Sequence, residues 1–174
     1  MKHSSLAAAL AAILVSTAAP LPAAKPAAAS PGSPASPAIA AAVVAGNPPG
    51  ATSGVADAKA AAKDGQTVAV RGRLKDFVPG QATFTMVDSA VKSCVETGDN
   101  CPTPWDYCCT PKELLTANSA TVKLVGAAGG KTALKGELKG VAGLDHLSTV
   151  TASGTARRDA KGNLLVMAET LYVK

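Results

Sequence analysis

Four cysteines are the residues of this chain best suited to do chemistry. Three of them fall in the segment CPTPWDYCC, residues 101–109, together with the only tryptophan and one of the two tyrosines. The fourth precedes this segment, so the full set is Cys94, Cys101, Cys108 and Cys109. Clustered thiols can close disulfides, bind a metal ion or exchange electrons, and the surrounding sequence favours the first of these.

Two disulfides are the first interpretation, because an even number of clustered cysteines in an exported chain typically oxidises. A bond between the neighbours Cys108 and Cys109 needs a strained ring. Two pairings therefore stay open: Cys94–Cys108 with Cys101–Cys109, or Cys94–Cys109 with Cys101–Cys108. Either pairing closes short loops and contributes about 2–3 kcal/mol per bridge.

A metal site and a redox site are the alternatives. Four thiolates can hold zinc tetrahedrally, but familiar zinc sites use CxxC pairs, and adjacent cysteines chelate one ion poorly. The missing CxxC motif also argues against an oxidoreductase. We therefore predict disulfides, with no bound metal and no cofactor.

Trp105, Asp106 and Tyr107 allow two interpretations. In the first, Trp105 packs on the disulfides as a small core of its own loop, Tyr107 covers it, and Asp106 caps a short helix at TPKELL. In the second, the prolines and disulfides hold these three residues as a rigid binding loop for a partner.

The N-terminal segments predict export. Residues 1–24 are typical of a signal peptide, with Lys2, an uncharged run from Leu6 to Ala19 and small residues up to Ala24. The run is too short for a comfortable membrane span, so we expect no transmembrane span after signal cleavage and a periplasmic or secreted protein. Residues 25–54, rich in Ala and Pro, predict a disordered linker.

Residues 55–174 predict an all-β domain, a small five-stranded OB-like barrel, with a β-sandwich as the competing architecture. A short helix ending near Gly65 comes first, and the cysteine segment forms the long loop between the second and third strands. Gly72 and Gly154 are expected where the barrel strands bend. Alternating apolar residues mark the strands in TVAVRGRLKDF, QATFTMVD, ATVKLVG, VTASGTARRD and LLVMAETLYVK.

The combination of AAKDGQTVAVRGRL, FTMVD, CPTPWDYCC and LKGVAGLDHLSTVTASG resembles a family of exported bacterial proteins of unknown function. These proteins share a cysteine-bearing OB-like domain, and the resemblance implies that fold but no activity. Many members carry a lipoprotein cysteine near the N-terminus. The first cysteine here is Cys94, so we expect no acylated N-terminus.

Enzymatic activity is not predicted. After signal removal the chain keeps one histidine, His146, and it has no GxSxG-like nucleophile motif and no paired carboxylates. We interpret His146 as an exposed loop residue without a catalytic partner.

A candidate anionic-ligand face comprises Arg71, Arg73, Lys75 and Lys123, which share the outward side of the first and third predicted strands. From residue 55 onward the chain has 15 basic and 12 acidic residues, a net charge of +3. This weak surplus, the lack of outward aromatics for base stacking and export all argue against nucleic acid as a partner.

The sequence as a whole predicts a non-catalytic extracytoplasmic binding or scaffolding module whose partner is an unknown envelope or extracellular component. Two alternatives remain at this point. One is binding of nucleic acid or another anionic ligand by the basic face, and the other is metal binding by the cysteines.

Overall fold

The structure, a computed structural model, describes residues 35–127 and 129–174. The predicted signal peptide and residues 25–34 of the predicted linker lie outside these ranges. The helices are α1 (Pro37–Ala42), α2 (Val55–Ala61), α3 (Cys94–Thr97) and α4 (Lys112–Ala117), with a 3₁₀ turn at Val141–Gly143. The strands are β1 (Val43–Ala45), β2 (Ser53–Gly54), β3 (Thr67–Phe77), β4 (Thr83–Val87), β5 (Ser119–Leu124), β6 (Thr149–Arg158) and β7 (Leu164–Val173).

Five of the strands close into a mixed barrel. β3 pairs antiparallel with both β4 and β6, and β4 pairs antiparallel with β5. β7 completes the ring, because it pairs parallel with β5 and antiparallel with β6. The order β3–β4–β5–β7–β6 and back to β3 is an OB-like barrel, which confirms the predicted fold over the sandwich.

The barrel core follows the predicted alternation. On β3 the side chains of Val70 and Leu74 are fully buried, while Arg71 is exposed on the outer face. The neighbouring strands contribute inward residues in the same way, namely Phe84, Met86, Val122 and Leu124. Each such side chain contributes about 1.5–3 kcal/mol when it leaves water, so this core holds the five strands together.

The two predicted bend glycines are sites of close strand approach. At Gly154 the register of β6 on β7 shifts, and a Cβ atom there would lie 2.0 Å from the carbonyl oxygen of Met167. A Cβ at Gly72 would lie 2.5 Å from Cγ of Met86. Both positions therefore exclude any side chain, because a neighbouring strand already occupies the place of the Cβ atom.

Residues 35–54 fold onto the barrel, where the sequence predicted a disordered linker. Pro37 begins α1, capped by the Ser36 hydroxyl, and β1 continues from the helix and pairs in parallel with β7. Ile39 is fully buried, and Val43 is 9% exposed. The linker prediction is corrected here because these branched apolar residues join the barrel core, which the Ala/Pro-rich composition concealed.

The helices are short throughout the described ranges, and none of them has the length and apolar character needed to cross a membrane. α2 ends at Ala61, earlier than predicted, because Ala62 already has an extended backbone. Gly65 takes a left-handed φ of 81° in the turn before β3, as predicted for the residue that stops this helix.

Candidate functional site

The connection between β4 and β5, residues 88–118, is hereafter called the cysteine loop. Its two arms are joined by the main chain, since the N–H of Cys94 donates to the Asp106 carbonyl and that of Val95 to the Pro104 carbonyl, both at 2.8 Å. α3 begins with a capping box between Ser93 and Glu96. The arms are therefore ordered by local hydrogen bonds that need no sulfur–sulfur bond.

Arg73 of β3 fastens one arm to the barrel. Its guanidinium donates to Glu96 at 2.5 Å and to the carbonyl oxygens of Ser89 and Val91 at 3.0 and 2.6 Å. The N–H and hydroxyl of Ser93, together with this guanidinium, lower the pKa of Glu96 to about 2. The guanidinium of Arg73 is therefore bound to the cysteine loop.

Lys75 fastens the other arm. Its ammonium lies 3.1 Å from a carboxylate oxygen of Asp106, which also accepts a hydrogen bond from the N–H of Tyr107. Partial burial opposes ionisation of Asp106, but the Tyr107 N–H and Lys75 lower its pKa overall. Asp106 does not cap α4, whose N-cap is Pro111. Its negative charge instead binds the loop to β3.

Tyr107, not Trp105, forms the core of the cysteine loop. Its side chain is 1% exposed and belongs to a cluster with Val87 and Val91, against which Leu115 and Leu147 pack. The hydroxyl is buried with no hydrogen-bond partner among the described residues, and burial raises the pKa of Tyr107. Tyr107 therefore lies beneath the surface that a partner would meet.

Trp105 is 38% exposed and stacks on His146, with ring centroids 5.2 Å apart and an angle of 26° between the planes. Phe77 meets the same imidazole edge-on at 5.4 Å. Nδ1 of His146 lies 2.5 Å from the carbonyl oxygen of Lys75, which fixes the ring. Trp105, His146 and Phe77 are called the aromatic platform below.

His146 has a role here that the sequence did not predict. It was expected as an exposed loop residue, but it lies half-buried between the two aromatic side chains. No local signal could have revealed this, because His146 precedes β6 and meets Trp105 only through closure of the barrel. The platform is thus a product of the fold.

The four cysteine sulfurs lie together and are unbonded in this structure. Sγ of Cys108 is 3.3 Å from that of Cys94 and 3.0 Å from that of Cys101, while Cys109 Sγ is 3.8 Å from both Cys101 and Cys108. All four sulfurs lie within 4.8 Å of one another. The two disulfides therefore stay a prediction. The four sulfurs form one cluster in this structure.

Protonation of the thiols is governed by their mutual contacts. Burial disfavours the Cys94 thiolate, but the backbone N–H of Cys109 and the neighbouring thiols outweigh this and lower the pKa of Cys94. The contacts with Cys108 and Cys94 raise the pKa of Cys101.

The predicted anionic-ligand face is divided by the structure. Arg73 and Lys75 pair with carboxylates of the cysteine loop. Arg71 is exposed beside a shallow recess that also contains Asp88, and Lys123 lies two strands away on β5. The four cations therefore do not form one free surface.

A cleft of about 410 Å³ between Val125, residues 129–131 and the β6–β7 hairpin was not predicted. Val125, Leu165 and Met167 form its apolar part. Of the arginines in its wall, Arg157 pairs with Asp64, and Arg158 donates to main-chain carbonyls. Lys131, Thr155 and Glu169 also line the cleft, so polar groups stand beside its apolar part.

These elements define a small OB-like barrel that carries an ordered cysteine loop. No family model matches the chain, and no curated protein matches it. Among solved structures, the chain is similar to the hypothetical protein ygiW from E. coli, with a TM-score of 0.40 and 12% sequence identity. The match covers 75% of this chain and 96% of that one. Function must therefore be argued from the side chains.

Proposed function

We propose that this domain is a non-catalytic extracytoplasmic recognition module that contacts an envelope or extracellular component through the aromatic platform. The observation that carries the proposal is the exposure of Trp105, the only tryptophan, at 38% on an ordered loop. Large aromatic side chains held in this way are enriched among residues that dominate binding energy.

The platform is organised before any partner arrives. The stack of Trp105 on His146 contributes about 0.5–1.5 kcal/mol beyond the area that it buries. The residues that carry the platform are also held in place. The carbonyl oxygen of Lys75 contacts His146, and the ammonium of Lys75 pairs with Asp106. Docking on such a surface avoids the roughly 0.5–1.5 kcal/mol that immobilising a free side chain costs.

The basic face receives less support as the contact surface. Arg73 and Lys75 would have to leave Glu96 and Asp106 before they could bind an external anion. Arg71 and Lys123 alone would attract anions weakly, with screening within about 8 Å in physiological salt. Anionic-ligand binding therefore remains the alternative. A test must compare the binding of a platform variant with the binding of a variant that lacks Arg71 and Lys123.

Export is the second part of the proposal, supported by the signal-peptide pattern of residues 1–24. Intact-mass measurement of protein recovered from the periplasm or medium should give a mature chain that begins between Ala19 and Lys25. Recovery of only the full-length chain from the cytoplasm would contradict export.

Binding at the platform can be tested by tryptophan fluorescence, because all of the tryptophan emission of this chain comes from Trp105. Isolated peptidoglycan and vesicles of envelope lipids are titrated separately into the oxidised and the reduced protein. We expect one of these fractions to shift the emission of Trp105, and Trp105→Ala to weaken co-sedimentation with it about tenfold or more.

Leu114→Ala is the matched control, because Leu114 is 49% exposed but lies on α4, outside the platform. This variant should bind as the wild type does. If binding survives Trp105→Ala but is lost in the double variant Arg71→Ala/Lys123→Ala, the basic face is the contact surface and the platform proposal is wrong.

A further inference from the structure

The sulfur atoms of the cysteine loop surround a common point. A disulfide sulfur has one bonded partner at about 2.05 Å, so two disulfides divide four sulfurs into two pairs. Here Sγ of Cys108 faces three sulfurs, those of Cys94, Cys101 and Cys109, at 3.3, 3.0 and 3.8 Å. No division into pairs is apparent in this arrangement.

The distances match the edges of a small tetrahedron. Zinc–sulfur bonds of about 2.3 Å place tetrahedral sulfur ligands about 3.8 Å apart. Two of the contacts made by Cys109 have this length, and no pair in the cluster exceeds 4.8 Å. The two shorter contacts of Cys108 would have to widen by less than 1 Å to reach this separation.

We propose that Cys94, Cys101, Cys108 and Cys109 bind one Zn²⁺ ion, which closes the cysteine loop as a structural site. Four sulfur ligands in a tetrahedral arrangement favour zinc among the common divalent ions. Binding replaces four S–H bonds by four Zn–S bonds and releases four protons. No electron is transferred, so this reaction needs no oxidant.

The sequence objection to a site with adjacent cysteines is answered by the geometry. The side chains of Cys108 and Cys109 converge, with their sulfurs 3.8 Å apart, because the chain turns at this point. The opposite arm brings Cys94 to them through the hydrogen bond from its N–H to Asp106. The ligands are thus assembled by the main chain before an ion binds.

The four ligands differ in their exposure to solvent. Cys94 is 1% exposed, Cys101 is partly buried, and Cys108 and Cys109 are exposed. An ion can therefore enter over Cys108 and Cys109, while Cys94 anchors the site from below. A closed four-sulfur site of this kind leaves no ligand position for a substrate, which assigns the ion a structural role.

Oxidation is the competing fate of the same thiols, since an exported chain meets an oxidising compartment. Both predicted pairings stay open, because Cys94 and Cys101 contact Cys108 and Cys109 in one pairing, while the shortest contact, Cys101 with Cys108 at 3.0 Å, belongs to the other. The zinc site does not depend on the proposed contact through Trp105, because the indole supplies no ligand. Either proposal can fail while the other stands.

The test uses the full chain, recovered from its own compartment and analysed for zinc, free thiols and disulfide-linked peptides. We expect one zinc per chain and four thiols that become titratable after chelation. Reduced protein is then titrated with Co²⁺, which should bind one per chain with the visible bands of tetrahedral thiolate coordination and be displaced by one equivalent of Zn²⁺.

Single variants Cys101→Ser and Cys109→Ser should weaken zinc binding by more than the roughly 10–100-fold loss that removal of an outer-shell partner causes. Their far-ultraviolet circular dichroism should stay that of the barrel, which does not rest on these sulfurs. Trp105→Ala should keep the ion. Native protein with two disulfides and no zinc, or reduced protein that binds no Co²⁺ in tetrahedral form, would overturn the proposal.

Discussion

Tyr107 brings a hydroxyl into the core of the cysteine loop without a hydrogen-bond partner among the described residues. Tyr107→Phe keeps the ring against Val87 and Val91 and removes the buried polar group. The free energy of unfolding should therefore stay unchanged or rise by about 1 kcal/mol. Tyr107→Ala should lower it by about 3–5 kcal/mol, because it removes the ring. Urea unfolding of the three proteins measures both values.

A loss of more than about 1 kcal/mol in Tyr107→Phe would show that the hydroxyl is bound, against this expectation.

The sequence could predict that the aromatic residues and cysteines share one loop, because they share one segment. It could not predict which ring is buried. Tyr107 is covered in part by Leu147, which belongs to the connection before β6, so burial is decided by contacts that are distant in sequence.

At the scale of elements, α3 depends on an ionised Glu96. The Ser93 N–H, the Ser93 hydroxyl and Arg73 lower its pKa from 4.5 to about 2. Because the folded pKa is the lower one, the stabilisation is complete above about pH 4.5 and is lost as the pH falls towards 2. With the side chain 39% exposed, solvent screening keeps the effect small.

Glu96→Gln should therefore be less stable than the wild type at pH 6, and the difference should shrink as the pH falls to 2. Urea unfolding at several pH values measures this difference, in which other carboxylates such as Asp106 cancel. Glu113→Gln is the control, because Glu113 is an exposed residue of α4 with no ion pair in the described ranges. A difference that does not vary with pH would assign the loss to the capping box geometry alone.

The strands could be predicted where the sequence pattern that specifies them is local. The alternation of Val70 with Arg71 was sufficient to predict β3, and Gly72 and Gly154 lie at positions where the neighbouring strand leaves no room for a side chain. The ion pair of Lys75 with Asp106 could not be predicted in the same way. The partners lie on separate elements, and only the docking of the cysteine loop on β3 brings them together.

At the scale of the molecule, the first described residues belong to the barrel. Ile39 of α1 is fully buried, and β1 pairs with Leu171, Tyr172 and Val173 of β7. The predicted boundary at residue 55 missed this because alanine and proline dominate the preceding segment. Three branched apolar residues, Ile39, Val43 and Val44, are too few to show a period, so the burial of Ile39 and Val43 is decided by the part of the barrel that they contact.

Ile39→Ala should lower the free energy of unfolding of the whole barrel by about 2–5 kcal/mol, because it leaves a cavity in the core shared with β7. Val44→Ala is the matched control in the adjacent strand, since Val44 is 41% exposed and should lose less than about 0.5 kcal/mol. Both values follow from urea unfolding monitored by far-ultraviolet circular dichroism. If residues 35–54 were instead a free linker, both variants would have the same free energy of unfolding as the wild type. A loss confined to Ile39→Ala means that the folded unit includes α1.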